Sequence, residues 1–545
     1  MKKIYCVVAF YLLIFILLFF TTLSINYVEG DDATGILYHL CGRNIAIQSP
    51  YSCYNSGFDF ILNFIKADEV ILRNFSVILS FIFGFLSLSF LAILTDKLLP
   101  KDSSNGKYVF LALLPFIIPD FIFSSLIINS TNISFAFAII ATIFYIKFLQ
   151  NNSKTSFILS IIFMGLSVPF RWSIIVYYPV FFSILLLMND YSMSKSFLKI
   201  KSLILFYILS FSMGIIFIYV SGYSLEKLIE TIVWGKQYMD NSEKSLVSTV
   251  AIAASFFTIP LIILLTFGLF NFFKTKKEML IGKLLFIIFP LSPYFILGLF
   301  IAYKYLITVV PILIFICLVG FIEIQKRKKL SYVFFVSIFA IWFIGIKIDV
   351  KNTLYGSGYG FKKNIETSSE SVNEKNLDSR LKFNKISPAF DGGFYIPTPE
   401  GPRPLFGYFY VVFGGLWKND IDNLAKNRAF VIQKLQNSKK TILLQDRKTA
   451  YLECDLYKFG YKTNTKFIND TINNLEIRSY TKGTDTIAIN AISNNVSKAD
   501  FSIAFIKNHQ EVIFRSSYSS LIYNALREDK TLKNLDAYTI YKHTE

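Results

Sequence analysis

The chain has 545 residues, 54% of them hydrophobic and 17% aromatic, with 58 Phe and 32 Tyr, and its apolar residues come in long unbroken stretches rather than in alternation. That composition excludes an ordinary soluble globule and belongs to a bilayer protein. The net charge of +18 divides into +11 before residue 349 and +7 after it; the bases of the first part lie in short segments between apolar runs, which points to a membrane surface or a phosphorylated ligand and away from nucleic acid.

Lys2 and Lys3 precede an apolar run over 4–24 that has no small-residue cleavage site. It outlasts the apolar part of a signal peptide, about 7–15 residues, and reads as an uncleaved anchor. Runs at 74–94, 203–220, 248–272 and 331–346 meet or approach the ~20 residues of a spanning helix. The stretches 108–146, 156–188 and 284–322 are too long for one crossing and carry Lys or Arg at both ends. Each is expected to cross twice and to turn at its polar middle: Asn129-Ser130-Thr131-Asn132, Pro169-Phe170-Arg171 and Tyr303-Lys304-Tyr305. Placing the N-terminus inside leaves 18 Lys/Arg in the cytoplasm and nine outside, as the positive-inside rule requires. The expected fold is an α-helical polytopic membrane domain over 1–348 with about eleven spans and outer loops at 25–70 and 221–246.

Everything beyond about residue 348 is then extracytoplasmic. Residues 349–418 read as a linker followed by an interfacial segment dense in Gly, Pro and aromatics, ending in Leu405 to Phe413. Gly356, Gly358 and Gly360 lack the strand-to-helix setting of a phosphate-binding fingerprint and belong to the linker. In 419–545, Ile421, Leu424, Val431 and Leu435 follow a helical period behind Asn419 or Asp420 as cap. A buried strand at 441–445, a second helix to Gly460 and strands at 501–506, 511–514 and 537–541 complete a small soluble α/β domain.

The first outer loop opens with Glu29-Gly30-Asp31-Asp32. Two adjacent carboxylates at a membrane surface can bind a divalent cation or take a proton from an acceptor hydroxyl; equally, they can do no more than solvate a loop. Asp120 falls near the middle of the third span, where a carboxylate is a functional candidate, although Pro119 beside it frees a backbone group that a structural hydrogen bond could satisfy. Cys41 and Cys53 share the first outer loop and could close a disulfide over 11 intervening residues, whereas Cys6 and Cys317 read as apolar fillers and Cys454 as a buried side chain. His39, His509 and His543 are too scattered for a metal site.

An acidic pair just past the first span, a helix-like stretch from Ala33 to Ile45, the segment Ser49-Pro50-Tyr51 through Gly57-Phe58-Asp59 and an arginine, Arg73, at the mouth of the second span together resemble the GT-C membrane glycosyltransferases. These include the protein mannosyltransferases and the bacterial aminoarabinose transferases of lipid A. Pro119 with the Asn129–Asn132 turn, Pro169-Phe170-Arg171 followed by Tyr178-Pro179, and Tyr303-Lys304-Tyr305 followed by Pro311 extend the likeness in order over 1–350. The resemblance implies transfer of a sugar from a polyprenyl-phosphate donor to a lipid, glycan or protein acceptor, in a bacterial or archaeal cell membrane. It implies Asp31 as base or metal-organising acid with Asp32 beside it, Asp59 as a second holder of a divalent cation, and Arg73, Arg171 and Lys304 at the donor phosphate. By their own surroundings those three bases could equally mark helix ends at the headgroups. The chain departs from the family pattern in having Asn129 and Asn132 where a second acid is usual and no Lys/His-Pro-Pro in the first loop, so metal dependence stays open. An oligosaccharide ligase or polymerase would place large catalytic loops between spans, and a transporter would show duplication and broken midplane helices; here the large soluble part is terminal and no repeat is found.

Overall fold

The computed structural model of the chain describes residues 2–23, 56–62, 69–98, 106–118, 125, 130–224, 226, 229, 259–274, 279–297 and 309–351, together with short strands between 395 and 543. The helices are α1 (Lys2–Leu23), α2 (Ser56–Leu62), α3 (Glu69–Leu98), α4 (Gly106–Ile117), α5 (Ser130–Asn151), α6 (Lys154–Phe170), α7 (Tyr178–Met188), α8 (Met193–Leu198), α9 (Ile200–Val220), α10 (Ile259–Lys274), α11 (Leu280–Leu297), α12 (Val310–Gln325) and α13 (Lys328–Lys351). A 3-10 turn, Trp172–Tyr177, joins α6 to α7. Where lipid offers no hydrogen bonds, a helix is the form in which an apolar run satisfies its own backbone.

Three segments are long and apolar enough to cross a membrane, Ile78–Leu98, Ser130–Asn151 and Ile200–Val220, and shorter apolar helices accompany them among the described residues. By length and composition the protein is therefore of the helical membrane class. Burial sorts its helices: α5 is the centre, with 72% of its spanning window buried, whereas the α9 window is 28% buried and presents Ile204, Leu205, Ile208, Leu209 and Ile216 outward. Aliphatic side chains in that number on one helix suit hydrocarbon rather than water.

α6 lies between α5 and α9; α1 rests on α3 and α4; α10 packs on α12 and α7 on α11. Aromatic contacts knit the centre. Phe206 meets Phe181 and Tyr145 at 4.4 and 5.1 Å between centroids, and Phe15 of α1 meets Phe81 of α3 at 5.0 Å. Several buried hydroxyls find partners, as such surroundings favour: Thr142 and Tyr177 bond at 2.9 Å, Ser210 donates to the Tyr178 oxygen at 3.1 Å, and the Tyr11 hydroxyl donates to the Leu111 carbonyl.

Lysines close several helix C-termini, whose last carbonyls have no partner within the helix. Lys283 donates to the Phe272 carbonyl of α10 at 2.6 Å, Lys199 to the Leu149 carbonyl of α5 at 3.4 Å, and Lys107 pairs with Asp96 in the last turn of α3 at 2.8 Å. On sequence these bases were orientation markers in loops. Lys107 and Lys283 are in fact buried, because each serves the end of a neighbouring helix.

Toward the C-terminus, β1 (Tyr395–Ile396) pairs with β2 (Arg403–Pro404). A mixed sheet orders β4 (Lys462–Asp470), β5 (Leu475–Lys482), β6 (Asp485–Ile489), β3 (Ile442–Leu444), β7 (Phe501–Ile503), β9 (Thr539–His543) and β8 (Gln510–Arg515) from edge to edge. β3 is parallel to both of its neighbours, and the other pairings are antiparallel. The helices expected near 421–435 and before Gly460, the interfacial run Leu405–Phe413 and the linker glycines lie outside the described residues.

Candidate functional site

The 156–188 stretch breaks at Arg171. Pro169 sits one residue before the end of α6, where a proline leaves a carbonyl of the preceding turn without its helical donor. Arg171 then adopts an extended backbone, φ −158° and ψ 101°, and the 3-10 turn begins behind it. Its N–H returns to the Ser167 carbonyl at 3.3 Å and its own carbonyl accepts from the Ile174 N–H at 2.9 Å. With 4% of its surface exposed, Arg171 is a guanidinium held inside an apolar bundle. Such residues are costly to bury and mark functional positions by default.

Two other segments close on this turn. From α5, the Ser134 hydroxyl donates to the Ser167 carbonyl at 2.7 Å. From α2, the Ser56 hydroxyl donates to the Pro169 carbonyl at 3.2 Å, and a β-carbon placed on Gly57 would lie 3.2 Å from the Pro169 carbonyl carbon and 3.3 Å from the Phe170 nitrogen. Ser56 and Phe58 are buried there. A polar seam continues along α5 and α3: Ser130, Thr131, Asn132 and Ser134 are buried, Ser87 donates to the Asn132 carbonyl at 2.9 Å, and the Asn132 amide reaches the Ser125 oxygen at 3.5 Å. On sequence Asn129–Asn132 is the polar turn between two spans. Residues 130–132 are the buried first turn of α5, with Asn132 held by Ser87 of α3 and by Ser125. A guanidinium is chemically suited to an anionic, oxygen-rich group such as a phosphate; the Ser56 and Ser134 hydroxyls are engaged with the carbonyls of the turn and hold its backbone.

Asp59 is the fourth residue of α2, and Arg73 the fifth of α3. Asp31, Asp32 and Lys304 lie outside the described residues, as do Asp120, Cys41, Cys53 and Cys454. Of the expected site residues, then, the fold brings the Asp59-bearing helix against the Arg171 turn. Among the described residues no three His, Cys, Asp or Glu side chains gather in one place; Asp31, the expected partner of Asp59 at a divalent cation, lies outside them. Sequence reasoning missed Ser56 and Ser134, whose partners are distant in the chain, and took Gly57 only as part of the Gly57-Phe58-Asp59 segment. The small Ser-Gly pair ahead of Phe58-Asp59 was the available sign.

Fold and site together define a helical membrane protein with a buried arginine at a helix break, capped by a short helix from an earlier segment. No protein-family model matches the chain, and no curated protein matches it in sequence.

Proposed function

We propose that this protein is a membrane glycosyltransferase that moves a sugar from a polyprenyl-phosphate carrier to an acceptor hydroxyl on the outer face. The observation that carries the reading is the buried Arg171 at the α6 break with α2 seated on it, supported by the ordered resemblance to the GT-C enzymes. In this scheme about eleven spans run from a cytoplasmic N-terminus to an outer α/β domain over 419–545, with 349–418 as linker and interfacial segment. Asp31, with Asp32 beside it, removes the proton of the acceptor hydroxyl as its oxygen attacks the anomeric carbon. The bond from that carbon to the phosphate oxygen breaks, and the lipid phosphate leaves with the electron pair. Arg171, Lys304 and Arg73 stabilise the charge that grows on it. If a divalent cation takes part, Asp31 and Asp59 are its ligands.

The test is donor-dependent sugar release by purified protein given a panel of polyprenyl-phosphate sugars. Asp31→Asn is expected to lower turnover by about 100-fold or more, on the scale of a general acid-base group. Arg171→Ala should lower it about as far, on the scale of lost transition-state charge stabilisation. Expression and detergent melting should stay near wild type for Asp31→Asn. No release with any donor, or normal turnover in Asp31→Asn, Asp32→Asn and their double variant, would overturn the reading.

A further inference from the structure

We infer that α2 is a fixed clamp holding the first outer segment to the Arg171 turn, with Ser56 and Gly57 as positioning residues for the anionic group that the guanidinium receives. That the group is a lipid-linked phosphate rests on the function proposed above. The clamp itself rests on packing. A helix of 7 residues does not hold together in water, since isolated helices shorter than about 12–15 residues are marginal; tertiary contact must hold α2. The contact is made by its start: Ser56, Gly57 and Phe58 are buried, whereas Phe60, one turn on, is 37% exposed.

The Ser56 hydroxyl reaches across 113 positions of sequence to the Pro169 carbonyl, which lies in the last turn of α6 where no helical N–H can meet it. One bond therefore both caps α6 and tethers α2. Gly57 permits the approach, since even a methyl group there would press on the backbone of Pro169 and Phe170. Asp59 follows two residues later on the same helix, so its backbone is set at a fixed offset from the arginine turn. α2 also touches α9, which limits its freedom to swing.

A disulfide tests the clamp. The β-carbons of Gly57 and Pro169 would stand 3.3 Å apart, close to the roughly 3.5–4.5 Å of a disulfide. In a background with the native cysteines replaced by serine, the Gly57→Cys/Pro169→Cys variant should cross-link under mild oxidation in intact membranes, read as the joined peptides by mass spectrometry. Failure to cross-link would overturn the clamp. Its effect on the site is read by binding of undecaprenyl phosphate without sugar to protein in detergent. Gly57→Val should weaken binding about tenfold or more, which is 1.4 kcal/mol or more, with melting near wild type. Ser56→Ala should weaken it and Ser56→Thr, which keeps the hydroxyl, should recover it. Loss of binding in Arg171→Ala with none in Gly57→Val would overturn the positioning role and leave the donor reading standing. Unchanged binding in both would overturn both. If wild type does not bind the lipid phosphate, the donor reading falls and the disulfide decides the clamp alone.

Discussion

Lys283 shows what burial makes of a base that the sequence offers only as positive charge. Its ammonium donates to the Phe272 carbonyl and lies over the Phe272 and Tyr191 rings, 5.2 and 6.0 Å from their centroids. It thus meets the negative end of α10, two aromatic faces and an otherwise unserved carbonyl at once. Tyr191 reaches this position through a left-handed backbone, φ 61°, directly after Asp190 at φ 53°, a conformation that costs a non-glycine residue about 1 kcal/mol or more. Burial, with the Asp190 charge adding to it, pushes the Tyr191 hydroxyl well above its usual range, so the ring stays neutral at working pH. Lys283→Met leaves the carbonyl without its charged donor and should lower stability in detergent by about 1–3 kcal/mol. Lys195→Met, an exposed base on α8, should change it by less than about 0.5 kcal/mol. Equal melting temperatures for the two variants would show that the Lys283 contacts carry no net stability.

Between elements, the determining feature is how closely two backbones approach. α10 and α12 cross at Gly268 and Gly320, where a β-carbon on either would stand 2.1 Å from a carbonyl oxygen of the other helix. Membrane helices gain from such approach because lipid gives no hydrophobic drive between them, and packing must supply the association. At Gly106 a β-carbon would also be too close, 1.7 Å from an atom, but that atom is the side-chain oxygen of Gln325, which can swing away. Gly320→Ala should therefore cost about 1–3 kcal/mol, the scale of overpacking, and Gly106→Ala should fall within about 0.5 kcal/mol of wild type. Detergent melting of the two variants measures the order, and a reversed order would mean that α10 and α12 can separate without loss.

At the scale of the whole molecule the proposed arrangement is N-terminus in and C-terminus out, argued from 18 basic residues on one side against nine on the other. In a cysteine-free background, a membrane-impermeant maleimide applied to intact cells should label Thr484→Cys, in the proposed outer domain, and should spare Lys276→Cys until the membrane is opened. The reverse pattern would put 419–545 in the cytoplasm, take the Arg171 turn away from the outer face, and end the glycosyltransferase reading as stated.

The sequence by itself determined where the helices run. The apolar run at 4–24 becomes α1 over Lys2–Leu23, the run at 203–220 becomes α9 over Ile200–Val220, and the stretch 156–188 breaks at Pro169-Phe170-Arg171. Run length and proline act on neighbouring residues, so a local pattern is enough to reveal them. The antiparallel strands β4 and β5 were not anticipated, because Lys462–Asp470 is largely polar and the alternation Leu475-Glu476-Ile477-Arg478 is too short to mark a buried face by itself. Only the tertiary structure decided that Lys107 and Lys283 are buried, that Asn132 is held by Ser87 of α3, and that α2 sits on the end of α6. Each depends on a partner on another element, 113 positions away in the case of Ser56, and no local period or charge pattern encodes which distant carbonyl a hydroxyl or an ammonium will meet.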